Sequence, residues 1–177
     1  MKALLLDRDG VVVVNRPTNI KTPDDIELIP GAAAAIARLN AAGYKVGLCT
    51  NQPEIGRGVM TAAEVERVHR GLMEILSARG ARIDRIHCCG AVAKSPRKKP
   101  ADGMLRKALA EFGADAAATW FVRDQKDDLQ AAFHAGCRGV LVRTGMGAKT
   151  LAHGLPSYLQ PVTAFDDLAA AVTAALK

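Results

Sequence analysis

Short apolar segments alternating with longer amphipathic ones predict an α/β fold: a doubly wound, Rossmann-like parallel sheet with helices on both faces and no large cap domain. Three observations lead there. Brief runs dominated by apolar residues recur at Ala3–Leu6, Tyr44–Cys49, Arg85–Cys89, Trp120–Val122 and Gly139–Val142. A helical pattern separates one run from the next, which calls for parallel pairing through right-handed crossovers. Polar or charged residues follow the runs, where an open α/β sheet places its ligand, beyond the carboxyl ends of the strands.

The elements follow in chain order. After the first strand, Val11–Ile29 breaks the alternation and reads as a β-hairpin flap plus loop. Pro30-Gly31 opens a helix over Gly31–Ala42, which leads into the second strand. Thr61 with Glu64 forms a capping box, each side chain satisfying a free amide of the first turn, so a helix runs from there to about Arg79. The third strand enters Ala91–Ala101, a basic loop with two prolines, and Gly103–Phe112 follows as an amphipathic helix. After the fourth strand, a helix over Asp128–Ala135 stops at Gly136, because glycine tolerates the left-handed conformation that ends helices. A last helix, Asp166–Leu176, packs on the sheet and carries no chemistry.

With 177 residues, 49% of them hydrophobic, the chain can close one sizeable core, so a single domain over residues 1–177 is expected. Lysine and arginine exceed aspartate and glutamate by 24 to 18, a net charge of +6 that suits nucleic acid, a membrane surface or an anionic small substrate and does not by itself choose among them. The cations are dispersed, the longest cluster being Arg97-Lys98-Lys99, and aromatic residues make up 4%. Without a stacking platform or a concentrated basic groove, nucleic acid is not an expected partner. The N-terminal apolar run is too short for a signal peptide, and none approaches the ~20 residues of a membrane span. Cys49, Cys88, Cys89 and Cys137 lack CxxC spacing, which fits reduced thiols. A cytoplasmic monomer without a membrane partner is expected.

Each strand end presents chemistry. Asp7 and Asp9 follow the first strand, Thr50 and Asn51 the second, Lys98 and Lys99 the third, and Asp124 and Asp128 the fourth. Two carboxylates two residues apart, joined by one from another strand end, make a hard oxygen site suited to Mg²⁺. A lysine and a hydroxyl beside them suit a phosphoryl group.

In this order, Asp7-Arg8-Asp9-Gly10-Val11, Thr50-Asn51-Gln52, Lys99-Pro100 and Asp124 with Asp127 and Asp128 resemble the motifs of the haloacid dehalogenase superfamily over nearly the whole chain. Pro30-Gly31, Gly56-Arg57-Gly58, Lys98-Lys99-Pro100 with Gly103-Met104, Asp128-Leu129-Gln130 and Leu141-Val142-Arg143 look more narrowly like its heptose-bisphosphate and histidinol-phosphate phosphatase branch. The resemblance implies a Mg²⁺-dependent phosphomonoesterase in which Asp7 attacks phosphorus, while Asp9 protonates the leaving oxygen and then activates water. It implies Lys99 and Thr50 as charge stabilisers. It implies Asp7, the main-chain carbonyl of Asp9 and Asp124 as metal ligands, oriented by Asp128. Asn51, Arg57 and Lys98 would contact the rest of a small phosphorylated sugar or metabolite. Covalent catalysis of this kind divides a slow hydrolysis in two, provided that cations neutralise the phosphate oxygens that repel a carboxylate.

The chain departs from the branch twice. Members often carry a zinc loop of Cys and His ligands; here His87, Cys88 and Cys89 lie on a strand whose side chains alternate faces, and the second ligand pair is absent. No structural zinc is expected. Arg123 precedes Asp124 where the branch usually shows glycine. Turned into the site it would bind phosphate or weaken Mg²⁺; turned away it is structural, and strand alternation points away. His69, His134 and His153 read as structural or surface residues. Dephosphorylation of heptose bisphosphate is the leading expectation, ahead of histidinol phosphate and of a catalytically weakened phosphometabolite-binding protein.

Overall fold

The run Ala3–Leu6 forms β1, buried at every residue, in the middle of a six-stranded parallel sheet. A computed structural model describes residues 1–177. The chain proceeds through α1 (Ala32–Ala41), β2 (Lys45–Asn51), α2 (Ala62–Ser77), β3 (Arg85–Cys89), α3 (Gly103–Phe112), β4 (Trp120–Arg123), α4 (Lys126–Ala135), β5 (Arg138–Val142), α5 (Gly147–His153), β6 (Thr163–Phe165) and α6 (Leu168–Ala175). The strand order is β3-β2-β1-β4-β5-β6. The winding therefore reverses between β1 and β4, and the chain's first and fourth crevice-facing segments become neighbours there.

Alternation divides the apolar residues between two faces. Leu4, Leu6, Val46, Leu48, Val122 and Val140 pack with α1, α2 and α6 in a core cluster of 27 buried residues. Ala3, Leu5, Cys49 and Phe121 pack with α3 and α4 in a smaller cluster of 14. The Thr61–Glu64 capping box starts α2, and Gly136 ends α4 with a φ of 77°. No helix is long and apolar enough to cross a membrane.

Three expectations change. Val11–Ile29 forms no hairpin of strands: its bridges, Asp9 to Val13 and Val13 to Leu28, are isolated, and a short 3-10 turn stands at Pro23–Asp25. Its polar middle, Arg16–Asn19, has no alternating pattern to sustain a ladder. β2 runs on through Thr50 and Asn51, because β3 continues beside it to Cys89. β6 and α5 escape the sequence pattern because β6 is three half-buried residues at the sheet edge and α5 only seven residues.

The flap is seated by close contact. Gly71 of α2 faces Pro23, and a Cβ at Gly71 would lie 2.5 Å from the Pro23 Cβ. Gly71→Ala should push the flap outward and cost about 1–3 kcal/mol of stability, as overpacking does. Thermal melts would check this, an unchanged Tm meaning that the flap has room to give.

Candidate active site

Asp7 and Asp124 are neighbours because β1 and β4 are. The chain leaves β1 at Leu6, and the Asp7 amide still donates to Val122 O of β4 at 3.0 Å. Gly10 then turns with a φ of 81°, and a Cβ there would run into the Asp124 carboxylate and leave no room for it. Carboxylate oxygens of Asp7, Asp124 and Asp128 lie within 4.8 Å of one another, all three residues buried.

Lys99 enters this cluster from the far side. It is 3% exposed, and its Nζ donates to Asp7 Oδ1 at 2.8 Å and to Cys49 O at 3.0 Å, with Asp128 Oδ1 at 2.5 Å. Asn51 holds the Lys99 backbone in place: its Nδ2 donates to Lys99 O and its Oδ1 accepts from Lys99 N, both at 3.2 Å. The Asn51 amide is thus committed to positioning the lysine. Thr50 is buried, its Oγ1 accepting from Gln52 Nε2 at 2.9 Å.

Asp124 Oδ2 accepts from the Met146 amide at 2.9 Å and from Asn15 Nδ2 at 3.5 Å, but its Oδ1 is buried without a partner. An unpartnered buried carboxylate oxygen is costly. The donor set fits a hard divalent cation, which would use that oxygen. Burial raises Asp7 above the ordinary carboxylate range and the Asp128 and Asp124 charges add to it, while Lys99 opposes. Burial also raises Asp124, to about 6. Burial disfavours the charged form of Lys99, yet Asp128 and Asp7 hold it above its ordinary value.

Asp9 stands apart from the cluster. Its carboxylate is gripped by Arg8, Nε to Oδ1 at 3.1 Å and Nη2 to Oδ2 at 2.9 Å, and receives Gln52 Nε2 at 3.0 Å. Arg8 also donates to Gln52 Oε1 at 2.8 Å and to His69 Nε2 at 3.3 Å. A guanidinium only donates, so His69 accepts and is neutral, consistent with burial, seconded by Arg8, lowering its pKa to about 4. Arg8 and Gln52 enter the sequence analysis only as motif members, the position of Arg8 between two acids being the available signal, and His69, expected to be structural or on the surface, is a buried partner of Arg8.

A cavity of about 310 Å³ opens at Asp9, lined by Arg8, Asn15, Arg16, Asn51, Gln52 and Glu54 among others. Arg57, on the exposed surface, is not among its lining residues, and Lys98 is turned to Val92 O and lines a neighbouring cleft with Lys99 and Asp127. Arg16 is the flap cation at the cavity, invisible to motif reasoning because no pattern surrounds it. Arg123 points away from the carboxylates but not to solvent: it is fully buried under α4. Burial lowers its pKa to about 9, which leaves it charged at neutral pH. On β3, Cys88 packs towards the larger core, whereas Cys89 joins the smaller one and His87 lies 3.5 Å from Glu111 of α3.

The HAD-hydrolase-like family matches residues 96–171. The D-glycero-beta-D-manno-heptose-1,7-bisphosphate 7-phosphatase of Pseudomonas aeruginosa is 40% identical over 176 residues, which are 98% of this chain and 97% of the relative. This chain belongs to the haloacid dehalogenase-like hydrolases. Among solved structures, it resembles D,D-heptose 1,7-bisphosphate phosphatase from B. bronchiseptica, complexed with magnesium and phosphate, with a TM-score of 0.92 and 38% identity over 99% of this chain and 98% of that one. It also resembles the Burkholderia thailandensis enzyme of that name, with a TM-score of 0.76 and 37% identity over 100% and 99% of the two chains. The HAD hydrolase described here is a phosphoric monoester hydrolase of this family.

Protons held by the raised carboxylates must leave when a divalent cation binds. Calorimetric titration with Mg²⁺ in buffers of different ionisation enthalpy should therefore show proton release near pH 6, where Asp124 titrates, and an affinity that rises with pH through that range. An affinity independent of pH would mean that the cluster is ionised before the metal arrives. The sign for stability follows: a carboxylate raised in the folded state binds more protons than the unfolded chain, so metal-free stability falls as pH rises from 3.8 to about 6 through Asp124. Melts in chelator across that range would check it.

Proposed function

We propose that this hydrolase removes the 7-phosphate of D-glycero-D-manno-heptose 1,7-bisphosphate through an aspartyl-phosphate on Asp7, with Mg²⁺ as cofactor. The observation that carries the reading is the buried Lys99 ammonium, held at Asp7 and Asp128 beside a carboxylate oxygen of Asp124 that has no partner. When bound, Mg²⁺ would be held by Asp7, the Asp9 main-chain carbonyl and Asp124, and would neutralise phosphate oxygens that otherwise repel the nucleophile.

The residues divide the work. An Asp7 oxygen attacks phosphorus, and the bond from phosphorus to the sugar oxygen breaks as Asp9 gives that oxygen its proton. Asp9 then takes a proton from water, whose oxygen attacks the aspartyl-phosphate to release phosphate and restore Asp7. Lys99 carries the matching positive charge at the nucleophile, and Thr50 and Asn51 set its surroundings. Arg8 and Gln52 orient Asp9 across the cavity mouth. Arg16 is the cation placed to meet the distal part of the substrate within the cavity, with Lys98 at the neighbouring cleft and Arg57 on the exposed surface as contacts further out. The reading includes a monomer of one domain. It acts in the cytoplasm, because a sugar bisphosphate is too highly charged to cross a bilayer unaided.

Phosphate release would be measured from heptose 1,7-bisphosphate, histidinol phosphate and a panel of sugar monophosphates, with Mg²⁺ or chelator. The heptose bisphosphate should give the highest kcat/KM, turnover should need Mg²⁺, Asp7→Asn should reduce it to background, and Asp9→Asn should lower kcat by about 10²–10⁴-fold. Arg16→Ala should raise KM with kcat little changed, a pattern of lost uniform binding. A preference for histidinol phosphate would move the substrate assignment; activity surviving in Asp7→Asn would refute the nucleophile.

A further inference from the structure

Strand alternation delivers Asp124 to the crevice and sends Arg123 to the opposite face of β4, between the sheet and α4. The fully buried guanidinium is bound there by main-chain carbonyls: Nη1 donates to Asp128 O at 2.5 Å, Nε to Val140 O at 3.3 Å, and Nη2 to Phe121 O. No carboxylate receives a hydrogen bond from it. Its Cζ lies 4.6 Å from the centroid of the Phe121 ring, and Lys99 Nζ lies 5.6 Å from the same centroid. Gly139 of β5, which pairs with Phe121, makes the space: a Cβ there would lie 2.8 Å from Arg123 Nη2.

A buried cation without a counter-ion at hydrogen-bond distance is a costly way to fill a core, and an apolar side chain of similar volume would pack there with no desolvation cost. What the guanidinium adds is a rigid fork of donors that ties carbonyls of β4, β5 and α4 together. The α4 carbonyl belongs to Asp128, in the first turn of that helix. Its own carboxylate meets Lys99 Nζ at 2.5 Å, and Lys99 meets Asp7 Oδ1 at 2.8 Å. The contacts thus run without a gap from Arg123 through Asp128 and Lys99 to Asp7.

We propose that Arg123 is a positioning residue for the reaction: by anchoring the Asp128 carbonyl it fixes the Asp128 carboxylate, and through it the Lys99 ammonium, against Asp7. The inference rests on the hydrolytic reading above and adds a residue that touches neither substrate nor metal.

The test compares wild type, Arg123→Met, Gly139→Ala and the double variant for kcat, KM, Tm and the Mg²⁺ dissociation constant measured by calorimetry on the metal alone. Arg123→Met should lower kcat about 10- to 100-fold, the scale of a misplaced catalytic group, with KM and the Mg²⁺ dissociation constant each within about twofold of wild type. Gly139→Ala keeps the charge and displaces the fork, so it should lower kcat in the same sense. The double variant should be no slower than Arg123→Met, because both changes act through one group. Unchanged kcat in a folded Arg123→Met would overturn the assignment, as would additive effects or a fall of kcat, metal affinity and Tm together with a matching rise of KM. Should Arg123→Met fail to fold, Gly139→Ala carries the test and an unchanged kcat overturns the proposal; failure of both to fold would make the fork a folding element only. The two ideas separate at the wild type, whose lack of turnover would remove the hydrolytic reading itself.

Discussion

The Lys99 ammonium, buried between the Asp7 and Asp128 carboxylates, is the contact around which the crevice is organised. Three carboxylates within 4.8 Å of one another repel and are poorly hydrated, so they need a cation that does not leave. Truncating a buried pair of this kind leaves an uncompensated charge, which costs about 3–5 kcal/mol. The long loop after β3 is therefore under constraint where it matters most: Asn51 clamps the Lys99 backbone, and Ser95 Oγ accepts from the Lys98 amide at 3.1 Å.

Around that contact the site is assembled from segments far apart in sequence. Asp124 is oriented by the Met146 amide, and its carbonyl accepts from Thr150 Oγ1 at 2.8 Å. Thr144 Oγ1 donates to Gly10 O at 2.7 Å, joining the loop after β5 to the turn after β1. The turn before α5 and the helix itself thus act as the support of a metal-facing carboxylate. Of the buried cations, only Lys99 pairs with this carboxylate trio, since Arg8 is bound to Asp9 and Arg123 to main-chain carbonyls, and the formal excess of negative charge suits a divalent cation on the open side.

Asp7 and Asp9, two residues apart, receive opposite environments. Asp7 is buried against an ammonium, whereas Asp9 is partly exposed and clasped by a guanidinium and an amide at the cavity mouth. The division of labour proposed above, between nucleophile and acid–base group, assigns unlike roles to carboxylates in these unlike surroundings. The neutral His69, within α2, closes the far end of the Arg8 contacts.

Much was legible from residue order alone. Apolar runs of strand length, separated by helical periodicity, determine a parallel sheet, because only crossovers can return the chain to pair in the same direction. Asp7 and Asp124 could be picked out because each follows such a run, and Lys99 because it lies in the Lys-Pro loop after another; carboxylates, hydroxyl, lysine and carboxylate in that order resemble the motifs of the family. β6, α5 and the form of the flap were not legible, since short or half-buried pieces carry no periodicity. Tertiary structure alone decided that Asn51 serves Lys99, that Arg16 lies at the cavity where Arg57 does not, and that Arg123 is buried beneath α4. Those outcomes depend on which side chains from distant segments meet, and a one-dimensional pattern records the face a residue takes but not the partner it finds there.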